Sequence, residues 1–173
     1  MACLEQSKAL LLTARLALLD CFLILAFIPS SNAEEGSLGL SFDNNGVTID
    51  KIAMRASGAM GAIYGRIRND RPDQNITLVH VTTELEGKVE LHTVEADDDG
   101  RLKMREVNHI VIPPKSTLNL LPNDKHIMLI GLAPSPSPGE TITANFTFSD
   151  GTEIPAIVSV KPLTFNFKSY ILE

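Results

Sequence analysis

From residue 34 onward, apolar residues alternate with polar ones in short runs, and no stretch keeps the three-and-four spacing of a long helix. The runs recur at roughly ten-residue intervals between turn-forming residues, the pattern of a β-sandwich or barrel. The predicted strands are Val47 to Ile52, Gly61 to Arg68, Asn75 to Thr83, Lys88 to Val94, Leu102 to Val107, Ser116 to Leu121, Ile127 to Gly131, Thr141 to Phe148 and Glu153 to Val160. Turn chemistry separates them: Asn69-Asp70-Arg71-Pro72, Asp97-Asp98-Asp99-Gly100, Pro113-Pro114 and Ser149-Asp150-Gly151. Ser135-Pro136-Ser137-Pro138-Gly139 reads as a stiff surface loop, and no internal repeat is visible. The pattern predicts one all-β domain over residues 34–162. A tail over 163–173 alternates only weakly, which leaves its state open.

The first 33 residues follow a different pattern. Lys8 and Arg15 precede a mostly apolar stretch from Leu16 to Ile28, and Ser31-Asn32-Ala33 ends in small residues, as a signal peptidase site requires. The apolar stretch is shorter than the about 20 residues of a membrane-spanning helix. Cleavage after Ala33 is the first reading and an uncleaved N-terminal anchor the second. A lipid-modified Cys21 is the third, with Asp20 standing where a small residue is expected.

Both cysteines, Cys3 and Cys21, fall inside this leader. The remaining domain then has no disulfide, thiolate ligand or cysteine nucleophile, and its roughly 140 residues must be held by a core alone. The chain's net charge of −6 stays with that domain, because Glu5, Lys8, Arg15 and Asp20 of the leader cancel. An acidic domain of this kind is a poor partner for nucleic acid or an anionic membrane, and accommodates a cation more easily.

The histidines and methionines give the charge pattern a chemical focus. His126 and Met128 share one face of a strand because side chains alternate. A three-residue loop Asp98-Asp99-Gly100 would place Val94 opposite Met104, with His92 as the diagonal neighbour on the same face, about 7–8 Å away. Two imidazoles and two thioethers form an uncharged, soft to intermediate donor set. It suits Cu(I), suits magnesium and calcium badly, and is unusual for zinc. A blue-copper site would need a cysteine, so carriage fits better than redox chemistry.

These residues resemble the ligand pattern of the periplasmic copper chaperones called PCuAC, H-(M)-x10-M-x21-H-x-M. His92 is followed by Thr93, then ten residues to Met104, then 21 to His126, with Met128 two further on. GKVELH, LKMREV, IVIPP and HIMLIGL are similar to the family as well, and the likeness runs from about Val47 to Val160, including IAMRAS. Thr93 departs from it where many members carry a second methionine, and there is no His/Met-rich C-terminal tail. The resemblance implies a cupredoxin-like Greek-key β-sandwich that binds one Cu(I) through His92, Met104, His126 and Met128. It further implies delivery to the binuclear copper centre of cytochrome c oxidase subunit II, with a thioredoxin-like copper chaperone as co-worker. A monomeric, periplasmic, non-enzymatic carrier is the expectation.

Other residues read as structural. His80 is expected to face solvent on a strand whose valines point inward, and His109 to sit at a strand edge. Met54 and Met60 are expected to fill the core. Asp97-Asp98-Asp99 reads as a solvated hairpin tip, and the sequons at Asn75 and Asn145 matter only in a eukaryotic source. G-x-S-x-G and HExxH are both missing, which leaves no hydrolase machinery. Three alternatives stay open beside the carrier: a metal-free exported interaction module, a periplasmic copper storage or resistance protein, and a copper-dependent enzyme.

Overall fold

The computed structural model describes residues 40–85 and 87–173. The expected leader, with Cys3 and Cys21, lies outside these residues. In chain order the elements are β1 (Phe42–Asn44), β2 (Val47–Ser57), β3 (Met60–Asn69), β4 (Ile76–Thr83), β5 (Lys88–Ala96) and β6 (Leu102–Val107). They are followed by β7 (Ile110–Ile112), β8 (Ser116–Leu120), β9 (His126–Ile130), β10 (Thr141–Phe148), β11 (Glu153–Val160) and a helix α1 (Phe167–Leu172). The all-β expectation holds, and each predicted strand is present within a few residues. Two three-residue strands, β1 and β7, and the helix were not predicted.

The strands form one sheet in the order β6-β5-β9-β3-β2-β11-β10-β4-β7, with β1 added on β2 and β8 on β3. Because β4 packs back against β5, the sheet curls into a nearly closed barrel. All pairings are antiparallel except β2 with β11, which meet at Ala53–Ser159 and Met54–Val160. Alternation drives the packing. In β10, Ile142, Ala144, Phe146 and Phe148 are buried while the residues between them face outward, and Ile154, Ala156, Val158 and Val160 do the same in β11. With Ile49, Ile63, Ile67, Leu78, Ile127 and Leu129 they build the interior, each large side chain contributing about 1.5–3 kcal/mol.

Two readings need correction. His80 is exposed, as expected, but of its flanking valines only Val81 is buried. A bulge in the β4–β10 pairing pairs His80 with Thr147 and Leu78 with Phe148, which turns Val79 outward. Met54 is wholly buried, as expected; Met60 is 41% exposed and fills no core.

The tail has structure that its sequence did not reveal. Asn166 caps α1, its Oδ1 accepting from the Ser169 amide at 3.1 Å. The helix buries Phe167 and Ile171 against Ala53, Ala62 and Tyr64 on the outer face of the barrel, opposite the main core. That outer face also carries His92, Met104, His126 and Met128.

Candidate metal centre

The β5–β6 hairpin folds as its turn requires. The Asp97 amide donates to the Arg101 carbonyl and the Gly100 amide to Asp97, and Gly100 takes a positive φ of 75° that a side chain would oppose. Asp97 also accepts from the Asp99 and Arg101 amides and pairs with Lys103, so the acidic tip is spent on holding the turn. Those bonds, led by Lys103, keep the Asp97 carboxyl below its ordinary pKa. The resulting register sets Val94 opposite Met104. On the other side of β5, His92 lies directly opposite His126 and Glu90 opposite Met128.

Side-chain alternation puts Glu90, His92, Met104, His126 and Met128 on the outer face, while Leu91, Ile127 and Leu129 point into the core. The two imidazoles stand edge-on with ring centroids 5.7 Å apart. Met104, His126 and Met128 line a cleft of about 190 Å³, and His92, paired with His126, lies outside its lining. The walls of this cleft are mostly apolar, with Arg55, Ser57, Tyr64 and His126 as their polar members, and Ala62 lies opposite Met128 on β3. Met104 is 53% exposed and His126 only 3%. The site is therefore closed at its floor and open at one edge.

Hydrogen bonds fix which nitrogen of each ring is free. Nδ1 of His126 is 2.8 Å from the Asp124 carbonyl, which can only accept. Nδ1 therefore carries the proton and Nε2 keeps its lone pair. Nε2 of His92 is 2.6 Å from the Glu90 carboxylate, so that nitrogen donates and the lone pair falls on Nδ1. His92 Nδ1 is buried and has no hydrogen-bond partner. A buried acceptor left unpaired costs about 1–3 kcal/mol, which binding a cation would recover. Burial pushes the His126 imidazole below its usual pKa, the Asp124 carbonyl opposes this, and nearby positive charge, from His92 when it is protonated and from Arg55, reinforces it. A neutral imidazole is the form a metal needs.

Glu90 is the outer support. It also pairs with Lys88, and Lys88 first and then His92 hold its carboxyl below the ordinary range. A carboxylate behind a ligating imidazole fixes its tautomer and raises its basicity. Glu90→Ala is expected to weaken Cu(I) binding by about 10–100-fold with the fold retained, as read by chelator competition and circular dichroism. An unchanged affinity would remove Glu90 from the site.

Among the described residues, no group of three or more His, Cys, Asp or Glu side chains could hold a metal ion. An ion held on the outer face between the two imidazoles would have the thioethers of Met104 and Met128 as its further soft donors. Thr93 does not weaken this set. It is 8% exposed and points to the inner face, opposite in parity to His92, so it stands on the wrong side of β5 to reach the cleft.

Sequence reasoning missed Tyr64, Arg55 and the tail. Tyr64 packs between His126 and Phe167, with ring centroids 6.1 Å and 4.6 Å away. The Arg55 guanidinium lies 5.5 Å from the Tyr64 ring and 6.0 Å from that of Phe167. Leu163 reaches the cleft wall. The parity of β3 was the available signal: Tyr64 and Ala62 alternate with the core residue Ile63, which places them on the ligand face.

Comparison with known proteins bears on the same region. Residues 47–160 match the LpqE-like family, described as "Putative lipoprotein LpqE-like". "Putative lipoprotein Lxx21020" of Leifsonia xyli subsp. xyli is 30% identical over 127 residues, covering 73% of this chain and 76% of that protein. Among solved structures, the CuI-bound form of DR1885 from Deinococcus radiodurans is 26% identical with a TM-score of 0.53, covering 75% of this chain and 85% of that one. The copper-bound PCuAC domain from PmoF2 has a TM-score of 0.59 at 17% identity, over 70% of this chain and 97% of that domain. The matched segment holds the whole barrel from β2 to β11 and all four candidate ligands: the chain belongs to the LpqE-like family and has the fold of a PCuAC domain.

Proposed function

We propose that this chain is an exported copper chaperone that holds one Cu(I) through His92 Nδ1, His126 Nε2 and the thioethers of Met104 and Met128. The observation that carries this reading is the pairing of His92 with His126 across β5 and β9, each ring keeping one free nitrogen, with Met104 and Met128 lining the same cleft as His126. The copper-bound form of the PmoF2 PCuAC domain and the CuI form of DR1885 support copper, and Cu(I), as the cargo. The lipoprotein descriptions of the family and the Leifsonia relative support a place outside the cytoplasmic membrane, and we assign the leader over 1–33 as the export signal.

The geometry suits carriage. Copper here is cargo, and the chain's task is to hold it without trapping it. The exposed thioether of Met104 is the point where an acceptor's ligand enters, since a neutral sulfur donor can be displaced without moving a proton. The buried imidazole of His126 lets go last. We assign delivery to the binuclear copper centre of cytochrome c oxidase subunit II, with a thioredoxin-like chaperone as co-worker.

Anaerobic titration of the full chain against a chromophoric Cu(I) chelator tests the reading. One equivalent should be withheld from the chelator, and His92→Ala/Met104→Ala should lose it. No competition by the unmodified chain would refute the carrier and return the fold to a metal-free interaction module. A loaded chain that transfers nothing to the copper-binding domain of subunit II would leave storage or resistance as its task.

A further inference from the structure

The carrier reading uses two of the three methionines in the cleft. Met60 is the third, and nothing in the four-ligand scheme accounts for it. It follows the two-residue turn Gly58-Ala59 that joins β2 to β3, where Ser57 pairs with Met60 and Gly58 takes the positive φ such a turn requires. The turn is pinned from the other side, because the Gly131 and Leu132 amides both donate to the Ala59 carbonyl. Met60 is thus held at a set place on the rim. It shares a face with Ala62 and Tyr64 and is paired with Ile130, which makes Met128 its diagonal neighbour, about 7–8 Å away. Two flexible thioether side chains span such a gap around one ion. The residue between them is Ala62, too short to fill the space above it.

A methionine that serves packing is buried, as Met54 is at 0% exposure, whereas Met60 is 41% exposed in the same cleft as Met104, His126 and Met128. We propose that Met60 is a further Cu(I)-binding thioether, which with Met128 forms an outer station at the mouth of the cleft through which the ion enters and leaves. Met128 would be the shared ligand: it belongs to the inner set with His126 and to the outer pair with Met60. Passage is a ligand exchange at constant oxidation state, with no proton or electron to balance. This inference rests on the carrier reading above.

The test labels the methionine methyl groups of the full chain with carbon-13 and follows their resonances as one equivalent of Cu(I) is added anaerobically. The Met60, Met104 and Met128 methyls should move while that of Met54 stays fixed, with assignments taken from single Met→Leu variants. Met60→Leu keeps the apolar volume at an exposed position, so the fold should persist, as its thermal midpoint would verify. Copper transfer from this variant to a chromophoric chelator should slow about tenfold. A Met60 methyl that stays fixed while Met104 and Met128 move, or an unchanged transfer rate in Met60→Leu, would overturn the outer station and leave the carrier intact. If none of the methyls moves, the carrier reading itself fails.

Discussion

His126→Ala should lower Cu(I) affinity by at least about a hundredfold and leave the barrel folded. Supporting groups behind a metal ligand are worth about 10–100-fold, so removing the ligand itself should cost no less. Two features make His126 the most sensitive position. It is the most buried of the four candidate ligands, and its free Nε2 is set by the Asp124 carbonyl and needs no further ordering on binding. The fold should survive because Ile127 and Leu129, its neighbours on β9, point to the opposite face and hold the core without it. Met128→Ala should act in the same direction. Chelator competition reads the affinity and circular dichroism the fold. Wild-type affinity in His126→Ala, with the fold intact, would contradict the four-ligand assignment.

The legibility of this site depended on where local rules decide geometry. The β5–β6 register followed from Asp98-Asp99-Gly100 alone, because glycine takes the left-handed conformation that the three-residue loop needs without steric cost. The pairing of His92 with His126 did not, since nothing in the sequence says that β5 and β9, separated by three other strands, become neighbours. Family spacing brought those residues together before any geometry could. Met60 was misread although its parity with Ala62 and Tyr64, against Ile63 and Ile67, already set it on the outer face. The bulge at Val79 had no sequence signal, because it arises from the β4–β10 pairing. The tail was illegible for a different reason. Phe165 and Phe167 alternate like a strand, and a six-residue helix is too short to show helical periodicity or to form without the surface it docks on.

That docking surface is the reason to expect a large effect from Phe167→Ala. Phe167 is 1% exposed and packs on Tyr64, Phe165 and Arg55. Truncating a buried phenylalanine costs about 3–5 kcal/mol, and the lower end applies here because the tail can partly collapse into the space. A loss of about 3 kcal/mol should lower the thermal midpoint by about 10 °C. The same change should reach the metal centre. Tyr64 contacts both Phe167 and His126, so loosening the tail frees the ring that walls in His126 and exposes an imidazole that is now buried. Cu(I) affinity should fall about tenfold, less than on removing a ligand, and Phe167→Leu should restore most of both losses. An unchanged midpoint would show that the helix is not bound to the barrel as described. A lowered midpoint with wild-type copper affinity would detach the tail from the site and leave it a purely structural element.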